Sequence, residues 1–480
     1  MVVAFLGLVA VSVMIGVLDW RRGVLLCVPI GFLADPIRKL APGQSVIWVI
    51  TVAICFVACL LGAVLRGEPS RFRGILNYYA ELRAPVALFA AIVVAQSVAT
   101  LMRLGSPILA GLGFLSYLSP LLALLLACRF CSERDAFARW RRLYISGGVV
   151  VAIAVGLQFS GVESALFKSI GVDIVYGTSG VVRMMCGIMR SSEIAGFHLA
   201  TALCLVLVAV VIAETRTRRS VAAFVAALLF SALLLTGRRK MLGEVGLFVV
   251  FFGALLARHR GGLSKGFQAA ILIGVVGLLG LQLTSRNREI VVIPYLERGV
   301  TILAESADRL EHMTIRQFGT ILERNGILGS GAGTGAQGAQ YFGGGAELVG
   351  SAAEGGLGKI LAELGVPGML ALGWLAAAFA KVLRRLASGA RSLPFGEAVR
   401  VYGLVSIVPA NLAVFVTAHQ VYGDPFVLIV LGWLTGAALA SPSIARATAR
   451  ADEDRSRGSV AAEPVGLTPM PGVRQQRISP

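Results

Sequence analysis

Long apolar runs recur along almost the whole chain, and short polar segments separate them. A helix that crosses the hydrocarbon core of a bilayer needs about 20 apolar residues. The runs that approach this length cover residues 44–65, 84–102, 108–128, 143–161, 192–213, 219–236, 241–257, 267–284, 357–380, 398–416 and 424–440. The first forty residues add a span at 2–18 and a shorter run at 23–34, which ends at a break at Asp35-Pro36. The pattern predicts an all-α polytopic membrane protein with about 12 or 13 transmembrane helices and one large external loop.

The composition agrees with this class. Of the 480 residues, 56% are hydrophobic and only 15% are charged, and the mean hydropathy is +0.80. A soluble domain does not need so much apolar surface. The pattern divides the chain into a transmembrane bundle at 1–284, an external loop at 285–356, C-terminal transmembrane helices at 357–443 and a tail at 444–480. The tail is polar and without apolar periodicity, which predicts a disordered cytoplasmic extension.

The positive charge reports topology. The formal net charge is +18, but most Lys and Arg residues lie in short loops, so no nucleic-acid partner is expected. The basic loops at 66–83, 129–142, 216–219, 258–265 and 384–391, with the tail after 446, alternate consistently with the cytoplasmic side. The external side then receives 162–190, 237–240, 285–356 and 417–423. This topology places Arg238, Arg239 and Lys240 outside, against the positive-inside tendency, which suggests an anionic ligand.

The external loop contains two distinctive stretches. Apolar residues recur at helical spacing over 296–321, which predicts an amphipathic helix that lies on the membrane surface or caps the bundle. Residues 329–345 read GSGAGTGAQGAQYFGGG, which fits either a flexible linker or a loop whose backbone N–H groups cradle an anion. No GxxxxGK[ST] motif is present, so nucleotide binding is not expected. Glu354 and Glu363 follow at and inside the next span, where a carboxylate needs a partner or water.

Three motifs occur in a recognisable order: LLLTGRRKMLGEVGLF at the end of a span, TIRQFGTILERNGILGSGAGTG in the external loop and ILAELGVPGMLAL in the span that follows. This order resembles the O-antigen ligase and polymerase superfamily of multi-spanning glycosyltransferases, over roughly residues 180–375. Residues 236–240 occupy the place of the family's Thr-Gly-Ser-Arg-Gly-like motif. The matching arginine is Arg239, or Arg238 under a slip of one residue.

Further residues carry the resemblance. Arg316 matches the external arginine before the family's Pro-Leu-x-Gly-x-Gly turn. The positions that match the turn itself are Gly329, Gly331 and Gly333. Arg183 and Gly187 resemble the arginine and glycine that open the family's Arg-x-x-Gly-x-x-x-x-Asn region, with one extra residue between them. The asparagine of that region has no counterpart in this chain.

The resemblance implies a substrate and a site. The substrate is a glycan linked to undecaprenyl diphosphate in the bacterial inner (cytoplasmic) membrane, and the active site lies on the external, periplasmic face. Guanidinium groups suit diphosphate oxygens, so the side chains expected to bind the diphosphate are Arg183, Arg238, Arg239 and Arg316. No cofactor is required, and no metal-ligand spacing is visible. The base for the acceptor hydroxyl is Glu354 or His419, although Glu354 could instead pair structurally with an external arginine.

Three functions remain open. Ligases of this family usually carry a histidine shortly after the glycine turn, and residues 348–354 contain none, which favours polymerisation of lipid-linked repeat units. The first alternative is a ligase that transfers a finished glycan to an acceptor. The second is a non-enzymatic flippase or exporter, which predicts charged residues distributed through many spans. A flippase and a chain-length regulator are candidate partners, besides the bilayer itself.

Overall fold

The computed structural model describes residues 1–133, 135–171, 174–177, 180–260, 295, 316–335 and 355–441. The long helices of the N-terminal part are α1 (Val2–Leu18), α2 (Trp20–Leu40), α3 (Ile47–Leu65), α4 (Pro69–Tyr78), α5 (Ala80–Leu104), α6 (Pro107–Cys131) and α7 (Ala136–Phe159). An antiparallel hairpin of β1 (Ile174–Gly177) and β2 (Gly180–Arg183) follows. The remaining helices are α8 (Ser192–Ile212), α9 (Arg216–Leu235), α10 (Arg239–Arg260), α11 (Arg316–Asn325), α12 (Gly356–Gly389), α13 (Phe395–Thr417) and α14 (Pro425–Ser441).

These helices confirm the all-α polytopic class. Among the described residues, nine helices are long and apolar enough to cross a membrane: α3, α5, α6, α7, α8, α9, α10, α12 and α13. The shorter apolar helices α1 and α14 coincide with the runs predicted at 2–18 and 424–440. The span predicted at 267–284 lies outside the described residues, as do most of the external loop and the tail after 441. The predicted loop and tail therefore stay predictions.

Helix α2 corrects the predicted break at Asp35-Pro36. The helix continues through Pro29 and Pro36 and ends at Leu40. Asp35 is 2% exposed, yet its carboxylate accepts hydrogen bonds from Arg190, so the charge is paired inside the bundle. One turn later, Lys39 donates to the carbonyl oxygens of two residues in the following loops, which fixes the end of the helix. Tertiary contacts of this kind offset the hydrogen bond that Pro36 removes.

Ion pairs join one set of helix ends. Arg21, in the first turn of α2, pairs with Glu68 at 3.5 Å and with Glu133 at 2.6 Å. Arg129, at the end of α6, pairs with Glu68 at 2.9 Å. These contacts bring the junctions α1–α2, α3–α4 and α6–α7 to the same end of the bundle. The α3–α4 and α6–α7 junctions carry basic loops that the sequence analysis placed together on one side.

Helix α12 is interrupted within the span predicted as continuous. Gly365 has φ +66° and ψ −166°, which is not helical, and Pro367 follows. The first segment of α12, residues 356–364, is almost entirely buried. A break inside a membrane protein frees backbone groups that lipid cannot satisfy, so it is tolerated only where other protein groups pair with them.

The glycine turn, residues 326–335, supplies the missing partners on the α12 side. The carbonyl oxygen of Ala362 accepts from the backbone N–H of Ser330 at 2.8 Å. The carbonyl oxygen of Glu363 accepts from the N–H of Gly331 at 3.1 Å. The N–H of Val366 donates to a carbonyl of the turn at 2.8 Å. The turn therefore provides hydrogen-bond partners for backbone groups next to the break in the helix.

The other side of the glycine turn is fixed to α5. Gln96 Nε2 donates to the carbonyl of Leu328 at 2.6 Å, and Thr100 Oγ1 donates to the carbonyl of Ala332 at 2.8 Å. Ala332 is fully buried. Gly331 has φ +112°, and a Cβ there would lie 2.4 Å from Thr100 Oγ1, so only glycine fits. The flexible-linker interpretation is therefore wrong for residues 329–335, while residues 336–345 lie outside the described part.

Replacing Gly365 by alanine tests the importance of the break. A side chain there would combine a positive φ with a Cβ 2.3 Å from the carbonyl oxygen of Ile327. We expect the purified protein to lose about 2 kcal/mol or more of unfolding free energy, seen as a lower melting temperature in detergent. The matched control is Gly373→Ala in the same helix, where a Cβ would meet nothing within 4 Å. Equal melting temperatures for the two variants would show that the break is not a fixed feature.

Candidate functional site

The β-hairpin and the α9–α10 turn meet at one end of the bundle. The N–H of Met185 donates to the carbonyl of Leu235 at 3.1 Å, which joins the end of the hairpin to the end of α9. Gly237 follows with φ +64°, and a Cβ there would lie 3.2 Å from Met184. The backbone at Arg183 and the backbone at Arg238 are thereby held close together. We call Arg183, Arg238 and Arg239 the arginine cluster.

Arg238 is held by the start of α8. Its Nε donates to Ser192 Oγ at 2.8 Å, and its Nη1 pairs with Glu193 Oε1 at 2.9 Å. The side chain remains 23% exposed. Burial lowers the pKa of the Arg238 guanidinium, and the charge of Glu193 opposes that shift. An arginine keeps its charge throughout the physiological pH range, so Arg238 presents a fixed cation at this surface.

Tyr295 brings the predicted external loop to the arginine cluster. Its hydroxyl donates to the carbonyl of Arg183, and its ring lies 3.8 Å from the position of a Cβ on Gly237. Burial raises the pKa of Tyr295 to about 12, although the Arg183 guanidinium acts in the opposite direction. Arg183 itself is exposed, and Arg239 is half-buried at the start of α10. The sequence analysis missed both Tyr295 and Glu193.

The arginine cluster contributes three cations, of which Arg238 pairs with Glu193, and Lys240 follows Arg239 in the sequence. Such a surface favours an anion with several oxygen atoms, because planar guanidinium groups can donate two parallel hydrogen bonds to it. A diphosphate carries enough oxygens to engage more than one arginine. The sequence predicted three of these residues to act together, and the structure brings their backbone positions to one end of the bundle.

A buried ion triad fixes the loop that leads into α8. Arg190 Nη1 pairs with Asp35 at 2.9 Å and with Asp424 at 2.6 Å. Burial lowers the pKa of Arg190, but the two carboxylates raise it more, so the guanidinium stays protonated. Arg190 lies two residues before Ser192, so the triad also fixes the residues that hold Arg238. Asp35 and Asp424 each precede a proline, and at Asp35 the sequence analysis interpreted this signal only as a break in α2.

The glycine turn binds an anion of the protein itself. The N–H groups of Gly333 and Gly335 each donate to the Glu363 carboxylate at 2.9 Å, and Tyr117 donates its hydroxyl at 2.8 Å. Glu363 is fully buried. The anion-cradle interpretation is therefore correct in geometry, but the carboxylate of Glu363 occupies the cradle. Three glycines of the turn therefore have a structural role: Gly329, Gly331 and Gly333. Their described neighbours lie on α5, α6 and α12 and do not include the arginine cluster.

The other predicted site residues have different outcomes. Arg316 is the first residue of α11, and its side chain lies outside the described part. Helix α11 packs Ile321 against Leu361 and Ala362. Of the amphipathic helix predicted over 296–321, only residues 316–321 are described, so the rest stays a prediction. Glu354 also lies outside the described residues. His419 is 6% exposed in the loop between α13 and α14, where it lines a cavity whose described lining includes none of the clustered arginines.

His198 behaves as a structural residue. It is fully buried in α8, and its Nδ1 lies 2.9 Å from the hydroxyl of Tyr144 on α7. The rings of Phe32 and Phe426 pack against it, with centroid distances of 5.0 Å and 4.8 Å. This environment confirms the interpretation of His198 as a hydrogen-bonded contact between helices.

The arginine cluster is the strongest candidate for a functional site in the described part of the chain, because it combines accessible cationic side chains with a fixed backbone. The sequence matches no protein-family model and no curated protein. The chemistry of the cluster and the order of motifs along the chain are therefore the basis for a functional proposal.

The Glu363 cradle is open to a direct test. Glu363→Gln keeps the shape but replaces one acceptor oxygen by an NH₂ group, which faces a backbone N–H or the Tyr117 hydroxyl. We expect a loss of about 1–3 kcal/mol of unfolding free energy and a clearly lower melting temperature in detergent. Glu323→Gln is the matched control, since Glu323 is exposed on α11. A Glu363→Gln variant as stable as Glu323→Gln would contradict the cradle.

Proposed function

We propose that this protein polymerises glycan repeat units carried on undecaprenyl diphosphate, at the external face of the bacterial inner membrane. The arginine cluster is the observation that carries the proposal. It offers several guanidinium groups, one of them anchored by Ser192 and Glu193, at one end of a bundle of membrane-spanning helices. The resemblance of residues 180–375 to the O-antigen ligase and polymerase superfamily supports the same reading.

The chemistry follows from the leaving group. A sugar hydroxyl of the acceptor attacks the anomeric carbon of the donor, and the bond from that carbon to the diphosphate oxygen breaks. Negative charge grows on the departing undecaprenyl diphosphate, where fixed arginines stabilise it. The hydroxyl proton passes to a base, for which Glu354 is the candidate, because His419 lies in the cavity on the other side of α13. Attack opposite the leaving group inverts the anomeric centre in one step, and the bond that breaks supplies the driving force.

Polymerisation is favoured over the two alternatives for separate reasons. Residues 348–354 lack the histidine that ligases of the resembled family usually carry after the glycine turn. The position of His419, in a mostly apolar cavity, does not place it beside the arginine cluster. A flippase would be expected to distribute charge through many spans. The carboxylates buried in the described helices are held by other protein groups, whereas the accessible arginines lie together at one end of the bundle.

A deletion strain separates the three functions. Loss of a polymerase should leave single lipid-linked repeat units on the outer face of the membrane, because export continues while elongation stops. Loss of a flippase would trap the same units on the cytoplasmic face. Loss of a ligase would leave long chains on their lipid carrier. Extraction of lipid-linked glycans, with sizing and an accessibility assay on intact cells, distinguishes these outcomes, and the second or third would overturn the proposal.

The arginine cluster predicts a loss of activity on a conservative change. Arg238→Lys keeps the charge but removes the fork that can bind two phosphate oxygens. We expect polymer formation to fall roughly a hundredfold while the protein still accumulates in the membrane. The matched control is Arg219→Lys in an exposed position near the start of α9, which should retain full activity. Near-normal polymer from Arg238→Lys would remove this arginine from the site.

A further inference from the structure

A mostly apolar cavity of about 270 Å³ lies between five helices, α5, α6, α12, α13 and α14. We call it the apolar slot. Its hydrocarbon lining includes Leu372, Leu375, Leu412, Phe415, Leu431 and Leu434. Leu412 is 44% exposed, so the slot reaches the lipid-facing surface of α13. A lined, open cavity of this kind inside a membrane protein suits a hydrocarbon chain.

One end of the slot is polar. Lys359, Tyr117 and His419 line it near the start of α12 and the end of α13. Lys359 is 7% exposed, and its Nζ lies 3.9 Å from Glu363 Oε1, a carboxylate already bound by Gly333 and Gly335. Nζ also lies 5.7 Å from the centre of the Tyr117 ring, and it donates no hydrogen bond to another described residue. The buried ammonium group therefore retains donors toward the slot, where an anionic group would satisfy them.

The slot extends into the middle of the membrane. Leu434 lies nine residues after the first residue of α14, which corresponds to about 14 Å along the helix. That is close to half of the roughly 30 Å hydrocarbon core of a bilayer. The slot thus has a cation at one end and an apolar interior as deep as one leaflet. These are the features expected of a site for a lipid with an anionic head.

Helix α13 separates the slot from the arginine cluster. Asn411 of α13 lines the slot, and its Nδ2 donates at 3.0 Å to Glu244 of α10, the helix that begins at Arg239. The two sites therefore lie on either side of α13. Their polar ends are both at the end of the bundle where α10 and α12 begin.

We propose that the apolar slot holds the isoprene units next to the phosphate in the polyprenyl chain of a second lipid-linked glycan, the acceptor of polymerisation, with its phosphate group at Lys359. This inference rests on the proposed function, in which both reactants are carried on lipids. The arginine cluster then binds the diphosphate of the donor, and the two sugar portions meet above α13.

Native mass spectrometry of the purified protein with undecaprenyl phosphate tests the slot. We expect two lipids bound per wild-type chain and one in Leu372→Trp, whose indole fills the slot. The matched control is Leu370→Trp, at a position 70% exposed on the same helix, which should keep both lipids. Two bound lipids in Leu372→Trp would overturn the proposal.

A second variant tests the polar end without filling the slot. Lys359→Met should weaken binding of the second undecaprenyl phosphate at least tenfold, whereas Lys381→Met, exposed toward the other end of α12, should not. Phosphatidylglycerol in equal amount should fail to displace this lipid. If it displaces the lipid equally well, the slot is an ordinary bilayer-lipid site and the proposal is wrong. A different outcome would separate the two proposals. If both slot variants lose one lipid but the wild-type protein forms no polymer, the lipid site is supported and the polymerase function is wrong.

Discussion

Backbone groups freed inside a membrane helix must find hydrogen-bond partners within the protein, because the hydrocarbon core offers no water. The break at Gly365 creates this demand, and the glycine turn at 326–335 meets it from one side while α5 holds the turn from the other. Glu363 completes the arrangement by accepting from two N–H groups of the same turn. The first segment of α12 is consequently locked in place, and with it Lys359 and the polar end of the apolar slot.

A second polar anchor positions the arginine cluster. The Arg190 triad joins α2, the loop before α8 and the start of α14, so three distant parts of the chain share one buried charge network. Removing one partner from such a network leaves an uncompensated buried charge, which costs about 3–5 kcal/mol. Its effect on the site is indirect: the triad holds the loop whose next residues, Ser192 and Glu193, orient Arg238. The orientation of Arg238 therefore depends on contacts that lie deeper in the bundle.

The hydrophobic pattern predicted the spans well, because a membrane span is determined by about 20 consecutive apolar residues and not by distant parts of the chain. It could not predict features that depend on distant partners. Pro36 indicates a helix end, but α2 continues because Arg190 donates to Asp35 and Lys39 donates to the loop before α8. The glycines at 329–333 indicate flexibility, but their small size permits close packing against α5 and α12. Three arginines of the candidate site were found from motif order, whereas Tyr295 and Glu193 carry no sequence signal of their own.

The proposed function is that of a membrane enzyme that joins two lipid-linked glycans, with the donor diphosphate at the arginine cluster and the acceptor lipid on the other side of α13. The most direct test is elongation by the purified protein in liposomes that contain only synthetic lipid-linked repeat units. The account predicts a ladder of longer lipid-linked glycans and release of undecaprenyl diphosphate, without any nucleotide sugar. No elongation under these conditions, or elongation only after a nucleotide sugar is added, would contradict it.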